Sequence, residues 1–277
     1  MLNWSIRLFR PFGIQLSVHS TFFILLAYVA WEGWSDAVAN QFAHPVYGVL
    51  INVAALAVFF ACVVLHELGH ALTARHFGVG VPRILLLPIG GMAEFDSIPR
   101  KPSQELLIAL AGPAVNFAIV AVLLIFVVFP DEQIAVLIRS IFSPSADEGV
   151  EIHMGLMQEL LAMNLIMGCF NLIPVFPMDG GRVLRALLAT RLSYLRATFY
   201  AATIAKIFAV LAIIAALSHG RIQLTVLFAF IFFAGEMEYR AVKRREQEDE
   251  RLRQALSAPL PNSNETPSLY NVGDGPA

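Results

Sequence analysis

Charged residues are scarce in this chain. Asp, Glu, Lys and Arg together make up 14% of the 277 residues, whereas about 25% is usual in soluble globular domains. Hydrophobic residues account for 57% of the chain, and the mean hydropathy is +0.68. This composition excludes an ordinary soluble globular domain and favours a protein that lies largely in lipid.

Cysteine is also scarce, since the chain contains only Cys62 and Cys169. Both fall within apolar runs, so we expect no structural disulfide and interpret each as a small buried apolar side chain. Cys62 precedes His66 by one helical turn, which leaves a role near that histidine open. We also expect no cleavable signal peptide, because Arg7 and Arg10 precede the first apolar run and no small-residue cleavage site follows that run.

Long apolar runs are abundant instead. About 20 apolar residues span a bilayer as a helix, and the run 106–129 contains no ionisable residue. We therefore predict an all-α polytopic membrane protein with about six transmembrane helices and a short membrane-associated β-hairpin. The six predicted spans are 18–39, 50–65, 106–129, 156–175, 201–217 and 222–233.

Basic residues alternate between successive connections of these spans. The connection 32–47 has none and 131–152 has only Arg139, whereas the intervening connections and both ends of the chain are rich in them. Positive residues mark the cytoplasmic side of a membrane protein, so we predict that both termini are cytoplasmic. The residues assigned to that side are Arg7, Arg10, Arg75, Arg83, Arg100, Lys101, Arg182, Arg185, Arg191, Arg196, Arg240, Lys243, Arg244 and Arg245.

Glycine and proline punctuate the connection 78–101, which encloses the apolar run 84–87. Such punctuation brackets short extended segments, and the stretch is too apolar for a free loop. We predict a β-hairpin that enters the cytoplasmic face of the protein, with an ordinary interfacial loop as the alternative.

The chain changes character near position 240. We predict a membrane core over residues 1–240 and a cytoplasmic tail over 241–277. Residues 240–256 are charged and helix-forming, and 257–277 are rich in Pro, Ser, Asn and Gly, a composition typical of disorder.

His66, Glu67 and His70 form the pattern H-E-x-x-H at the end of the second apolar run. Residues four apart lie on one face of a helix, and imidazole nitrogens are common zinc ligands. Glu67 then lies close enough to act as general base towards a metal-bound water. Burying such groups in a membrane is costly unless they are paired or ligate a metal. A polar cluster that joins helices is the alternative.

Asp179 is the leading candidate for the third metal ligand. Pro174 and Pro177 interrupt the fourth apolar run, and the Gly pair after Asp179 permits sharp turns. From the rise per residue, the two histidines lie roughly 8–14 Å below the cytoplasmic end of their helix, and Asp179 is expected at similar depth. In the alternative interpretation Asp179 ends a helix and pairs with Arg182.

Glu94 and Asp96 compete with Asp179 for the third ligand position. Glu94 follows His70 by twenty-four residues, a spacing compatible with soluble two-His-one-Glu zinc peptidases. Both acidic residues lie in the connection rich in Gly and Pro. Otherwise they are solvated charges at the edge of a loop.

The two motifs together resemble the site-2 protease family of intramembrane zinc metalloproteases, in its compact prokaryotic form without PDZ or CBS domains. The family patterns are present at 66–70 and, as N-x-x-P-x-x-P-x-D-G-G, at 171–181. The resemblance implies one Zn²⁺ per chain, held by His66, His70 and Asp179, with Glu67 as general base.

A third family pattern, G-x-x-x-N, matches Gly112 and Asn116. The resemblance implies that Asn116 contacts the backbone of an extended substrate. We expect Gly112, Asn116 and Asn171 to contribute to substrate binding. Small residues also permit close helix packing, so a packing seam is an equal alternative for Gly112 and Asn116.

We therefore hypothesise an intramembrane zinc endopeptidase that cleaves a transmembrane segment of another membrane protein, in regulated intramembrane proteolysis. The expected partners are that substrate, membrane lipid and a regulatory membrane protein, and we expect no nucleic acid. The expected location is the cell membrane, with the active site near the cytoplasmic face. A metal-dependent scaffold or transporter without proteolysis is the alternative, and a protease for soluble or lipidated peptides is a third hypothesis.

Overall fold

The computed structural model describes residues 4–42, 44–96, 101–128 and 148–257, without the side chains of 126–128 and 148–156. The predictions made for Arg139, for Arg100 and for the disordered tail beyond 257 lie outside the described residues. Within them the chain is mostly helical, as predicted, with one small sheet. The strands are β1 (Ser5–Arg7), β2 (Gln15–His19), β3 (Arg83–Leu87) and β4 (Gly90–Glu94).

The described residues form seven α-helices, and the predicted apolar runs fall on six of them. Five are long and apolar enough to cross a membrane, namely α1, α2, α3, α6 and α7. The predicted fourth span falls on α4, which is not among these five. The helices are α1 (Phe22–Ala39), α2 (Val46–His76), α3 (Pro102–Val128), α4 (Glu148–Asn171), α5 (Asp179–Ala189), α6 (Tyr194–Ser218) and α7 (Ile222–Ser257).

Two predicted span boundaries were wrong. The first span was expected from residue 18, but Val18 and His19 belong to β2 and the helix begins at Phe22. The fourth span was expected to reach residue 175, but α4 ends at Asn171. Pro174 lacks an N–H and crowds the preceding turn, which favours the end of the helix before it.

The predicted hairpin is present as β3 and β4, but it belongs to a larger sheet with the strand order β1-β2-β3-β4. The β1–β2 and β3–β4 pairs are antiparallel, whereas β2 runs parallel to β3, with Leu16 opposite Ile84. Ile14 and Ile84 are fully buried in one apolar cluster with Phe60 and Ala71 of α2. The sheet is thereby fixed against the half of α2 that carries the histidines.

Small side chains allow α6 and α7 to pack closely. Ala201, Ala205 and Ala209 of α6 are completely buried, and Gly235 of α7 lies against Ala202 and Ala205. Close packing of this kind is common between membrane helices. Helix α7 continues beyond position 240 to Ser257 without interruption, and the domain division at 240 stays a prediction.

Candidate metal centre

The H-E-x-x-H segment lies in the last third of α2. His66 and His70 are one turn apart and are 5% and 3% exposed. Their Nε2 atoms are 3.1 Å apart, and both rings face the same point beside α2. One helical turn is therefore enough to bring two potential ligand atoms together.

Asp179 meets this histidine pair from the start of α5. Its Oδ2 atom lies 3.3 Å from His66 Nε2 and 3.1 Å from His70 Nε2. The preceding residue, Met178, has extended backbone, so the chain enters α5 from an irregular segment. A Cβ atom on Gly181 would lie 2.7 Å from the backbone nitrogen of Phe176. The turn that delivers Asp179 thus requires glycine at that position.

The alternative interpretation of Asp179 as a helix end is wrong, because Asp179 begins α5. Its carboxylate contacts the histidines, while the Arg182 guanidinium lies over the Phe95 ring at 5.5 Å. The first turn of a helix also favours a carboxylate, because the N-terminal end carries a partial positive charge.

The three donor atoms fit a tetrahedral metal ion. Zinc binds such ligands at 2.0–2.2 Å, which places the ligand atoms of a tetrahedral site roughly 3.3 Å apart. The separations here are 3.1, 3.1 and 3.3 Å, and all three residues are buried. His66, His70 and Asp179 are positioned to bind one divalent ion, as expected for zinc.

The competing candidates Glu94 and Asp96 are not part of this donor group. Glu94 ends β4 and accepts a hydrogen bond from Arg83 Nη2 on the neighbouring strand at 2.6 Å. That hydrogen bond raises the pKa of Arg83 above its ordinary value. Glu94 therefore stabilises the hairpin. Asp96 lies just beyond the end of β4, where its backbone N–H donates to the Gly80 carbonyl at 3.0 Å.

Hydrogen bonds to helix α3 set the orientation of both histidine rings. His70 Nδ1 donates to the backbone carbonyl of Ile108 at 2.7 Å, and His66 Nδ1 donates to Asn116 Oδ1 at 2.5 Å. A carbonyl oxygen only accepts, so each Nδ1 carries the proton and each Nε2 presents its lone pair. Such contacts fix the tautomer in which imidazole binds a metal.

A chain of amides fixes the orientation of Asn116 in turn. Asn164 Nδ2 donates to the Leu160 carbonyl at 2.8 Å, and Asn116 Nδ2 donates to Asn164 Oδ1 at 3.2 Å. Because the Leu160 carbonyl only accepts, both amides have one consistent direction, and Asn116 turns its oxygen towards His66. Asn116 and Asn164 are completely buried.

The residues expected to bind substrate thus lie in different surroundings. Asn116 contacts His66 from behind and has no exposed surface. Gly112 lies against both rings, where a Cβ atom would be 2.7 Å from His66 Nε2. Asn171 lines a cleft beside the centre, and its Nδ2 donates to the Met167 carbonyl. Substrate contact stays a prediction for all three.

Glu67 lies on the open side of the centre. Its Oε2 accepts the backbone N–H of Ala93 in β4 at 3.1 Å. A Cβ atom on Gly91 would be 2.6 Å from Glu67 Cγ, so β4 approaches Glu67 closely because residue 91 is glycine. Its role as general base stays a prediction.

The cleft lies between β4 and α4 and has a volume of about 710 Å³. His66, Glu67, His70 and Asp179 form part of its wall. Apolar side chains dominate the remainder, and Ile89 and Ile166 are 87% and 66% exposed. These apolar residues include Phe59, Ile89, Met92, Phe95, Met163, Ile166, Met167 and Phe170.

One buried ion pair next to the centre was missed by the sequence predictions. Arg185 of α5 was assigned to a cytoplasmic connection, but it is 1% exposed and contacts Glu105 of α3, which is 0% exposed. An available signal was that Glu105 begins an apolar helix, where an ionisable residue needs a partner.

Known proteins resemble this chain over most of its length. The model of peptidase family M50 matches residues 54–143 and 129–215. The chain is 40% identical over 242 residues to zinc metalloprotease MJ0392 of Methanocaldococcus jannaschii, covering 87% of this chain and 62% of that protein. It is 26% identical over 172 residues to stage IV sporulation protein FB of Bacillus subtilis, covering 59% and 53%.

The structure of the site-2 protease from Methanocaldococcus jannaschii is also similar. It superposes with a TM-score of 0.54 at 37% sequence identity, covering 85% of this chain and 95% of that one. The chain spans less than two thirds of the length of the curated relatives named above.

Proposed function

This chain belongs to peptidase family M50, and we propose that it is a zinc endopeptidase that hydrolyses a peptide bond within a transmembrane segment of another protein. The observation that supports this most strongly is the convergence of two Nε2 atoms and one carboxylate oxygen within 3.3 Å of one another. These donors lie on the wall of a cleft that also contains Glu67.

His66, His70 and Asp179 would hold the zinc ion. When bound, zinc would supply Lewis acidity to polarise the substrate carbonyl and acidify the attacking water. Two neutral imidazoles and one carboxylate leave the donor set with one negative charge, which partly neutralises a divalent ion in a poorly hydrated site. With three protein ligands, a catalytic zinc ion would retain one position for water or substrate.

Glu67 would move the protons of the reaction. It takes a proton from the attacking water as the water oxygen bonds to the carbonyl carbon. It then delivers that proton to the amine nitrogen as the C–N bond breaks. The Ala93 N–H contact holds the Glu67 carboxylate on the cleft side of α2.

The substrate would bind in an extended form along β4. A transmembrane helix hides its amides in internal hydrogen bonds, so a segment must unwind before it is attacked. Strand β4 is at one edge of the sheet. Its Ala93 N–H points away from β3 but already donates to Glu67, so the substrate would pair with other backbone groups on the outer side of β4. Addition of the substrate as a fifth strand would satisfy its exposed amides, and the apolar cleft would receive its side chains.

The membrane arrangement is part of the proposal. We place both termini in the cytoplasm and the active site near the cytoplasmic face. Support comes from the alternation of basic residues and from His70, which precedes Arg75 by only five residues on α2. A cysteine introduced at Ser257 should react with a membrane-impermeant maleimide in inverted vesicles and not in intact cells. Labelling in intact cells would reverse the arrangement.

The same proposal extends to regulated intramembrane proteolysis, in which cleavage releases a signalling protein from the membrane. Membrane protein substrates follow from the family, and a regulatory membrane partner would control their access to β4. Membrane lipid would surround the five long apolar helices.

Replacing Glu67 tests the proposed chemistry directly. In Glu67→Gln the amide oxygen can still accept the Ala93 N–H, so zinc content should be unchanged. Cleavage of a membrane-protein substrate should fall by at least about 100-fold, because a positioned acid-base group contributes 10²–10⁴-fold.

The matched control is Glu32→Gln, which removes an exposed carboxylate of α1 whose hydrogen-bond partner is Tyr28. This variant should cleave like the unmodified protein. Undiminished cleavage by Glu67→Gln would refute the assigned base. Metal flux into vesicles without any cleavage would instead favour the transporter hypothesis.

A further inference from the structure

Helix α3 contributes no ligand, yet it contacts the residues that do. The Ile108 carbonyl accepts from His70, Asn116 accepts from His66, and Gly112 lies against both rings. Glu105 lies one turn before Ile108 on the same helix. The positions 105, 108, 112 and 116 follow the spacing of three and four residues that places them along one side of a helix.

The third ligand has its own connection to this side of α3, through Arg185. Asp179 and Arg185 are the first and seventh residues of α5. Arg185 Nε and Nη2 donate to Glu105 Oε1 at 2.8 and 2.5 Å, and Nη1 donates to Glu238 of α7. The guanidinium also lies over the Phe176 and Tyr194 rings, at 5.2 and 5.1 Å.

We infer that Arg185 is a positioning residue for the metal centre, because its ion pair with Glu105 sets the place of α5 and hence of Asp179. Helix α3 would then position all three ligands. It holds each histidine through a hydrogen bond to the ring, and it holds Asp179 through the ion pair between Glu105 and Arg185. The inference rests on the proposed zinc ligands, but it does not depend on the proposed peptidase activity.

The physical reason lies in how α5 is held. The helix has only 11 residues and follows an irregular segment, so its own backbone does not fix its rotation against α3. A guanidinium is planar and directional, and a buried ion pair is favourable only in well-defined geometry. With both partners at most 1% exposed, small rotations of α5 would break the pair. The same rotations would move Asp179 away from the histidines.

Metal affinity and metal geometry test this inference without a substrate. The variants are Arg185→Lys, which keeps the charge, and Arg185→Met combined with Glu105→Leu, which replaces the pair with apolar side chains. An apolar replacement of a buried ion pair commonly preserves folding. Zinc affinity is measured by competition with a chelator in detergent, and Co²⁺ is bound in place of zinc to record its visible spectrum.

The matched control is Lys206→Met. Lys206 of α6 pairs with Glu236 of α7 at 3.0 Å, so it is also an ion pair between helices, but neither helix carries a ligand. Helical content and elution volume are measured for every variant to identify the folded ones.

We expect both Arg185 variants to bind zinc about 10- to 100-fold more weakly, the range found for residues that orient metal ligands. Their Co²⁺ spectra should differ from that of the unmodified protein, whereas Lys206→Met should match it in both measurements. Folded Arg185 variants with unchanged zinc affinity and spectrum would overturn the inference. An equal loss of affinity in Lys206→Met would also overturn it, because the effect would then be general loosening. Normal zinc binding without any peptidase activity in the unmodified protein would refute the proposed function alone.

Discussion

The two sides of the metal centre differ in the kind of side chains that form them. On the side of α3, the contacts are buried and specific: an amide chain, a backbone carbonyl and an ion pair. We use the name ligand layer for the three ligands together with the residues that make these contacts, namely Glu105, Ile108, Asn116, Asn164 and Arg185. On the side of β4 and α4, the cleft is lined mainly by exposed apolar side chains.

This difference indicates that one side of the centre serves metal binding and the other serves substrate binding. A buried hydrogen-bonded network tolerates few arrangements and is sensitive to any lost partner. An apolar cleft imposes no directional requirement and accepts side chains of many shapes. We therefore expect changes in the ligand layer to affect metal binding. Changes in the apolar side chains that β4 and α4 contribute to the cleft should affect substrate binding alone.

The largest effect should follow the loss of Asp179. Asp179→Ala removes the carboxylate that lies within 3.3 Å of both imidazoles, leaving two ligands where three are needed. Zinc content should fall below one ion per chain and cleavage should be undetectable. Metal analysis and a cleavage assay measure both quantities. Full zinc content and normal cleavage would show that Asp179 is not a ligand.

A methyl group on Gly112 should be nearly as damaging. Gly112→Ala would place a Cβ atom 2.7 Å from His66 Nε2, and overpacking typically costs about 1–3 kcal/mol. The rings would be displaced, so both thermal stability and zinc affinity should fall.

Gly235→Ala provides the matched comparison. Its nearest atom would be Ala202 O at 3.6 Å, which is ordinary contact. Replacing a glycine within a helix by alanine is stabilising by roughly 0.5–1 kcal/mol. If Gly112→Ala were as stable as Gly235→Ala and bound zinc normally, the close contact between α3 and the histidines would be contradicted.

Asn116→Ala should reduce zinc affinity less than the changes above. It also separates two roles of Asn116, namely orientation of His66 and contact with substrate. It removes the acceptor for His66 Nδ1, so zinc affinity should fall by about 10- to 100-fold. Asn171→Ala, on the cleft side, should leave zinc affinity unchanged. A change of KM in Asn116→Ala without a change in zinc affinity would favour the predicted substrate contact.

The smallest effect is expected in the cleft. Ile166 is 66% exposed and lines the cleft, so Ile166→Ser should leave zinc affinity and stability unchanged. Burying one large apolar side chain contributes about 1.5–3 kcal/mol, so KM should rise by at least about tenfold. Ile207→Ser, at an exposed position of α6 outside the cleft, is the control. Equal KM values for the two variants would contradict substrate binding in the cleft.

The sequence predicts best what local spacing encodes. The H-E-x-x-H pattern brings His66 and His70 together because both lie on one helix. The apolar runs predict the long helices because a bilayer sets their length. The prolines before Asp179 correctly indicate irregular backbone over residues 172–178. The Gly pair was expected to form a sharp turn, but it lies in the first turn of α5.

Long-range partners were harder to predict. The alternation of Ile14 and Leu16 with polar residues favours an amphipathic or extended segment before the first span. Nothing local in Gln15–His19 indicates that this segment pairs with β3. Arg185 looked like one more cytoplasmic charge, since its partner Glu105 is eighty residues away. Contacts of this kind depend on which helices pack together, and periodicity carries no information about that.

The most direct test is a zinc-edge anomalous scattering map from crystals of the zinc-loaded protein. It should show one peak bounded by His66 Nε2, His70 Nε2 and an Asp179 carboxylate oxygen, at 2.0–2.2 Å from each. A peak elsewhere, or a peak at the histidines with Asp179 out of bonding range, would contradict the three-ligand centre.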